Sequence, residues 1–101
     1  DENRLRIISL LLTKELCVCE IEASLEMSQS NVSRHLTKLK TSGIVDSRKD
    51  SQWVYYKISE NFRDNNIELI NYLIATFRNE SLLIDDIARL QKLDSREFIC
   101  K

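Results

Sequence analysis

The stretch Ser28-Gln29-Ser30-Asn31-Val32-Ser33-Arg34-His35-Leu36-Thr37-Lys38-Leu39-Lys40-Thr41-Ser42-Gly43 decides how this chain folds. Val32, Leu36 and Leu39 stand four and three residues apart, so a helix from Gln29 to Ser42 turns them to one apolar face. Gln29, Ser30, Ser33, Thr37 and Lys40 fall largely on the other faces. Ser28 offers the side-chain oxygen that an N-cap needs, and Gly43, the one glycine, stands where a helix ends on a left-handed residue. Downstream, Val45–Lys49 and Gln52–Ile58 flank a polar turn at Asp50–Ser51. Val54, Tyr56 and Ile58 alternate with Trp53, Tyr55 and Lys57, the period of a half-buried strand. Upstream, Glu20–Glu26 reads as a short helix with Ile21 and Leu25 inward. Two short helices, the second polar and basic outside, followed by a hairpin, predict a winged helix-turn-helix that is mainly α with a small β-hairpin.

Working outward, Leu5, Ile8, Leu11 and Leu12 recur at helical spacing between Glu2 and Thr13, flanked by Ile7 and Leu10. Lys14–Leu16 reads as a short connection. Beyond Ser59, a long helix is expected from Asn61 to Asn79, with Leu69, Ile70, Leu73, Ile74 and Phe77 on one stripe. Leu82–Leu93 follows as a second helix, with Leu83, Ile87 and Leu90. A chain of 101 residues supports one modest core. Residues 1–59 are therefore expected to form the DNA-reading unit and residues 60–101 C-terminal dimerisation helices, within the same single domain. Pairing across a two-fold axis would cover the C-terminal stripe; packing onto the first helix is the alternative.

The net charge of −1 argues against nucleic acid until its distribution is considered. Arg34, Lys38, Lys40, Arg48, Lys49 and Lys57 face only Asp46 and Asp50 between residues 28 and 59, whereas both flanking segments are net acidic. That concentration suits phosphate. The reading surface is expected to comprise Gln29, Ser30, Asn31, Ser33, Arg34, His35, Thr37 and Lys38 on the helix, with Arg48 and Lys49 on the wing. Gln and Asn pair bidentately with adenine, and Arg or Lys with guanine. A plain solvated face is the competing account, but it leaves the clustering of bases unexplained. His35, the only histidine, has no second histidine with which to build a zinc site, and reads as structural or phosphate-contacting. No apolar run is long enough to span a membrane, so no membrane partner is expected. Three cysteines, an odd number, argue against a disulfide framework and for reduced thiols in a cytoplasmic protein.

Glu15-Leu16-Cys17-Val18-Cys19-Glu20, the Ser28-to-Leu36 segment, Leu39, Gly43 and Trp53-Val54-Tyr55-Tyr56 together resemble the ArsR family of metalloregulatory repressors. The resemblance runs from Asp1 to about Ser59, and Glu-Leu-Cys-Val-Cys is similar to the thiolate-sensing branch that answers arsenic, antimony, cadmium or lead. It implies a dimeric repressor on double-stranded operator DNA, released when the ion binds, with Cys17 and Cys19 as the sensing thiols. Three departures stand out. Arsenic sensors often carry a third cysteine where this chain has Glu22, the wing turn usually has glycine near Ser51, and the family's first helix would lie before Asp1.

Cys-x-Cys chemistry is consistent with that role. In extended backbone the two sulfurs share a side, whereas in ideal helix they diverge, so joint chelation is expected to need a distorted first turn. Amides at a helix start favour the thiolate that soft ions need. As(III) or Sb(III) prefers three sulfurs, and Cys100, far along the chain, is the remote candidate for the third. Glu22 offers oxygen to a borderline ion such as Cd(II) or Pb(II). No organic cofactor is expected. The residues after Glu60 contain no histidine, which argues against a zinc or nickel site there. For any one cysteine, a small buried hydrophobe is the competing account. Other possibilities are a thiol pair that senses oxidants or persulfide, a protein-interaction module that has lost DNA binding, and a thiol oxidoreductase. The last lacks Cys-x-x-Cys and any acid–base constellation.

Overall fold

The computed structural model describes residues 2–95. In chain order the elements are α1 (Glu2–Thr13), β1 (Leu16–Cys17), α2 (Val18–Leu25), α3 (Gln29–Thr41), β2 (Val45–Asp50), β3 (Trp53–Ile58), α4 (Glu60–Asn65), α5 (Ile67–Phe77) and α6 (Ser81–Ser95). Helices α2 and α3 make the helix-turn-helix, and β2 and β3 the wing. Ser28 caps α3, its Oγ accepting the Asn31 amide at 3.3 Å. Gly43 takes φ +81° just beyond the helix, the left-handed geometry expected of it.

The wing register runs from Val45 opposite Ile58 to Asp50 opposite Trp53, leaving Ser51 and Gln52 as a two-residue loop. Ser51 has φ +58°, a conformation that favours glycine. A third strand completes the sheet: the expected connection before α2 ends as β1, with Leu16 opposite Tyr56 and Cys17 opposite Tyr55. The order is β1-β3-β2. Two residues carry no readable alternation, so only the partner strand reveals β1.

Core positions are Ile7, Leu10 and Leu11 of α1, Leu16, Ile21 and Leu25, Val32, Leu36 and Leu39, Val45, Ile58 and Leu90. On α1 the buried face is thus Ile7-Leu10-Leu11, while Leu5 is exposed, a rotation from the stripe expected around Leu5 and Ile8. The long helix expected over 61–79 is broken at Asn66, whose φ −137° and ψ 38° separate α4 from α5.

α6 packs on α1 and α2, held there by buried charge. Asp86, fully buried, accepts from Arg6 Nε and Nη2 at 3.0 and 2.9 Å and from Arg89 Nη2 at 2.6 Å. Arg6 also reaches the Leu25 carbonyl at 2.9 Å, and Arg89 the Ser24 carbonyl at 2.6 Å. A buried carboxylate shared by two guanidiniums in this way locks the C-terminal end of α2 to α1 and α6. Along α5, Ile67, Leu69 and Tyr72 stay exposed, as do Leu82 and Ile84 of α6.

Candidate DNA interface and thiol site

Along α3, Gln29, Ser30, Asn31, Arg34, Thr37 and Lys38 are exposed and Ser33 is half-buried. Arg34 donates to Asn31 Oδ1 at 3.2 Å, and Thr37 to the Ser33 carbonyl at 2.9 Å. Lys40 donates to Ser47 Oγ at 2.6 Å, tying the helix to the wing. Lys49 is exposed on β2. Arg48 is exposed as well but engaged: its guanidinium donates to both Glu15 carboxylate oxygens at 2.9 and 2.7 Å and lies 4.8 Å from the Tyr55 ring centre. That hydrogen-bonded cation holds the Glu15 carboxyl below its ordinary range, against a smaller opposing effect of burial.

His35, grouped by sequence with the DNA-facing residues, sits instead in the interior at 3% exposure. Among the described residues neither ring nitrogen finds a hydrogen-bond partner. Burial lowers its pKa, helped by Arg34, Arg4 and Lys38, so the ring is neutral at pH 7 and cannot reach a base edge. The signal was available: positions 32, 35, 36 and 39 form a complete i, i+3, i+4, i+7 stripe.

The thiol segment straddles a change of backbone. Cys17 ends β1 and caps α2 with extended angles (φ −86°, ψ 165°), while Cys19 lies in the first helical turn. The Cys17 amide donates to Glu20 Oε1 at 3.0 Å. The switch from strand to helix folds the two sulfurs toward each other, to 3.3 Å, with no unwinding of α2. Both can therefore reach one ion. Against the expectation of reduced thiols, Cys19 is disulfide-bonded while Cys17 is free, so an ion site at this pair belongs to the reduced protein.

The expectation of an acidified thiol fails at Cys17. Burial pushes it up from the ordinary value; the Glu20 backbone amide pulls it down and is outweighed, and the Glu20 carboxylate adds to the rise. Beside the sulfurs lies an open cleft of about 490 Å³, walled by Val18 and Glu22 of α2, Gln29 of the reading helix, and Gln52, Trp53 and Val54 of the wing. Among the described residues no group of three His, Cys, Asp or Glu stands close enough to hold a metal ion. Cys100 lies outside the described residues.

Comparison with known proteins decides the family. Residues 1–47 match the bacterial regulatory protein arsR family. The arsenic resistance transcriptional regulator ArsR2 of Pseudomonas putida is 35% identical over 97 residues, covering 95% of this chain and 83% of that protein. This chain belongs to the ArsR family. It is accordingly a DNA-binding transcriptional regulator and not an enzyme. The cadmium resistance transcriptional regulatory protein CadC of Listeria innocua is 43% identical over 85 residues, 81% of this ArsR-family chain and 66% of that protein. Among solved structures, HlyU from Vibrio cholerae superposes with TM-score 0.63 at 41% identity, covering 74% of this chain and 82% of that one. A homodimeric winged helix-turn-helix domain from Mycobacterium bovis, Mb0332, superposes with TM-score 0.63 at 27% identity, covering 72% and 68%. Among the described residues of this ArsR-family chain, no helix is long and apolar enough to cross a membrane.

Proposed function

We propose that this chain is a cytoplasmic, homodimeric repressor that holds operator DNA through α3 and the wing and is released when As(III) or Sb(III) binds Cys17 and Cys19 in their reduced form. The observation that carries this reading is the 3.3 Å between the two sulfurs. With metal–sulfur bonds of about 2.3 Å, that spacing subtends roughly 90° at the ion. Such an angle suits a pyramidal trivalent centre better than a tetrahedral one. The cleft explains the output. An ion held there touches a space walled by Gln29 and by Gln52 and Trp53, so both DNA-reading elements feel its occupancy. A coupling of about 1–3 kcal/mol would weaken operator binding roughly 5- to 150-fold.

DNA contact falls to Gln29, Ser30, Asn31, Ser33, Arg34, Thr37 and Lys38, with Lys49 and Arg48 on the wing; His35 is excluded by its burial. The homodimer places its contact on residues 60–101, where Ile67, Leu69 and Tyr72 are left uncovered, and the homodimeric Mb0332 domain supports it. Titrating arsenite into the complex with the DNA upstream of its own gene, under a phosphine reductant, tests the reading. Release by wild type, and none by Cys17→Ser or Cys19→Ser, is the expected result. Equal release by all three would remove the thiols from the mechanism.

One observation favours a second reading. Cys19 is disulfide-bonded while Cys17, 3.3 Å away, is a free thiol, so thiol–disulfide exchange at Cys19 also suits a repressor that answers oxidants or persulfide. Release by peroxide without arsenite, reversed by reductant, would favour it. Cd(II) or Pb(II) remains the alternative ion, in keeping with the likeness to CadC.

A further inference from the structure

We propose that the pocket between α1, α5 and α6 is a second ligand site, which takes a small organic carboxylate with its alkyl chain inside and its anionic head on Arg78 at the rim. The pocket shares no lining residue with the cleft beside the cysteines, so the inference stands whether or not they sense an ion.

The walls come first. Leu12 of α1, Ile74 and Phe77 of α5, and Ile84 and Ile87 of α6 line a volume of about 480 Å³. Both α5 and α6 pack on α1, and the pocket opens between them. Phe77 is buried, Leu12, Ile74 and Ile87 are half-buried and Ile84 is exposed, so the apolar surface runs from the interior out to an open mouth. Sites for small organic ligands span roughly 300–1,000 Å³, and an apolar chain entering this one displaces water from apolar walls.

Charge then selects the sign of the ligand. Among the described residues lining the pocket, Arg78 is the one charged side chain, and none is Asp or Glu. Arg6, Arg48 and Arg89 each meet a carboxylate. The exposed Arg78 guanidinium has no ion pair or hydrogen bond among the described residues. A cation at the end of α5 complements the helix dipole without any ligand. On the lip of an apolar pocket that lacks an acid, its donor fork is also open to a carboxylate from outside. A cationic amphiphile would meet like charge there, and a neutral one would leave the fork unused.

A second copy of the chain is the competing occupant of an apolar mouth. The dimer contact proposed above uses Ile67, Leu69 and Tyr72, none of which lines this pocket. The site also adjoins the anchor of α2. Ile87 and Ala88 line it and lie in sequence between Asp86 and Arg89, which hold Arg6 and the Ser24 carbonyl. An occupant therefore braces the helix to which the reading unit is fastened.

Octanoate, 1-octanol and octylamine are titrated separately into the full chain, followed by calorimetry and by the isoleucine methyl signals in NMR spectra. Octanoate should saturate one site per chain and shift Ile74, Ile84 and Ile87. It should bind at least about fivefold more tightly than octanol, the gain that a carboxylate makes on a partly exposed guanidinium, with octylamine weakest. Arg78→Gln removes an exposed side chain with no partner to lose, so the fold should hold while octanoate falls to the level of octanol. Octanol binding as tightly as octanoate would overturn the inference. So would a preference unmoved by Arg78→Gln, shifts confined to other residues, or no saturable binding. Octanoate affinity that falls as the protein self-associates, read by sedimentation, would give the pocket to a second copy and also overturn it.

Discussion

The two ends of α2 are held in opposite ways. At the C-terminal end, the carbonyls of Ser24 and Leu25 accept from Arg89 and Arg6, and the buried Asp86 joins both guanidiniums. At the N-terminal end, Cys17 and Glu20 close a capping box beside an open cleft. One end is fixed by charges that cannot be separated cheaply in a low-dielectric interior. The other is held by the Cys17 thiol, the Glu20 carboxylate, a two-residue strand and the disulfide at Cys19, a bond that a reductant opens. On the proposed reading, a ligand acting on the reduced protein displaces the thiol end, which adjoins Gln29 and the wing, while the far end serves as its anchor.

The largest expected effect lies at the anchor. Asp86→Ala leaves Arg6 and Arg89 without their shared carboxylate and should lower unfolding free energy by about 3–5 kcal/mol in urea denaturation. A loss below about 1 kcal/mol would mean that the two ends are held alike.

At the thiol end the expected effect is chemical. Because burial raises the Cys17 pKa, its thiol is protonated throughout pH 6–8. A divalent ion must expel that proton, so cadmium affinity should rise about tenfold per pH unit for each proton released. Neutral arsenous acid condenses with the thiol as water leaves, so its affinity should stay flat. Calorimetric titrations at three pH values separate the two ions; a flat cadmium profile would show that Cys17 is already a thiolate.

Smaller effects fall on the wing, away from both ends of α2. Ser51→Gly relieves a positive φ and should stabilise by up to about 1 kcal/mol, read as a raised Tm with DNA binding retained. Glu15→Gln weakens the hold on Arg48. The slope of log affinity for DNA against log salt should then steepen by about one phosphate contact. An unchanged slope would keep Arg48 off the DNA.

The readable parts of this fold were those whose signals lie within a few residues of one another. Ser28, the Val32-Leu36-Leu39 spacing and Gly43 define α3 by local capping and periodicity, and the alternation around Tyr56 defines β3. His35 was readable too, since its place on the buried stripe follows from spacing alone; its chemistry as a potential phosphate ligand masked that. The Cys17–Cys19 pair was legible as a motif, but its geometry was not. Whether the sulfurs converge depends on the turn from strand to helix, and β1 exists only because Tyr55 and Tyr56 offer a partner strand.

What the sequence by itself determined is the winged helix-turn-helix, the concentration of basic residues on α3 and the wing, and the presence of two neighbouring cysteines, all properties of short-range pattern. Only the tertiary structure decided which face of α1 is buried, that Arg6 and Asp86 meet across 80 residues of chain, and that the cysteines share a cleft with the reading helix and the wing. Those outcomes depend on which surfaces meet when the chain compacts. Ion pairs and cavities between distant segments leave no periodic trace along the chain.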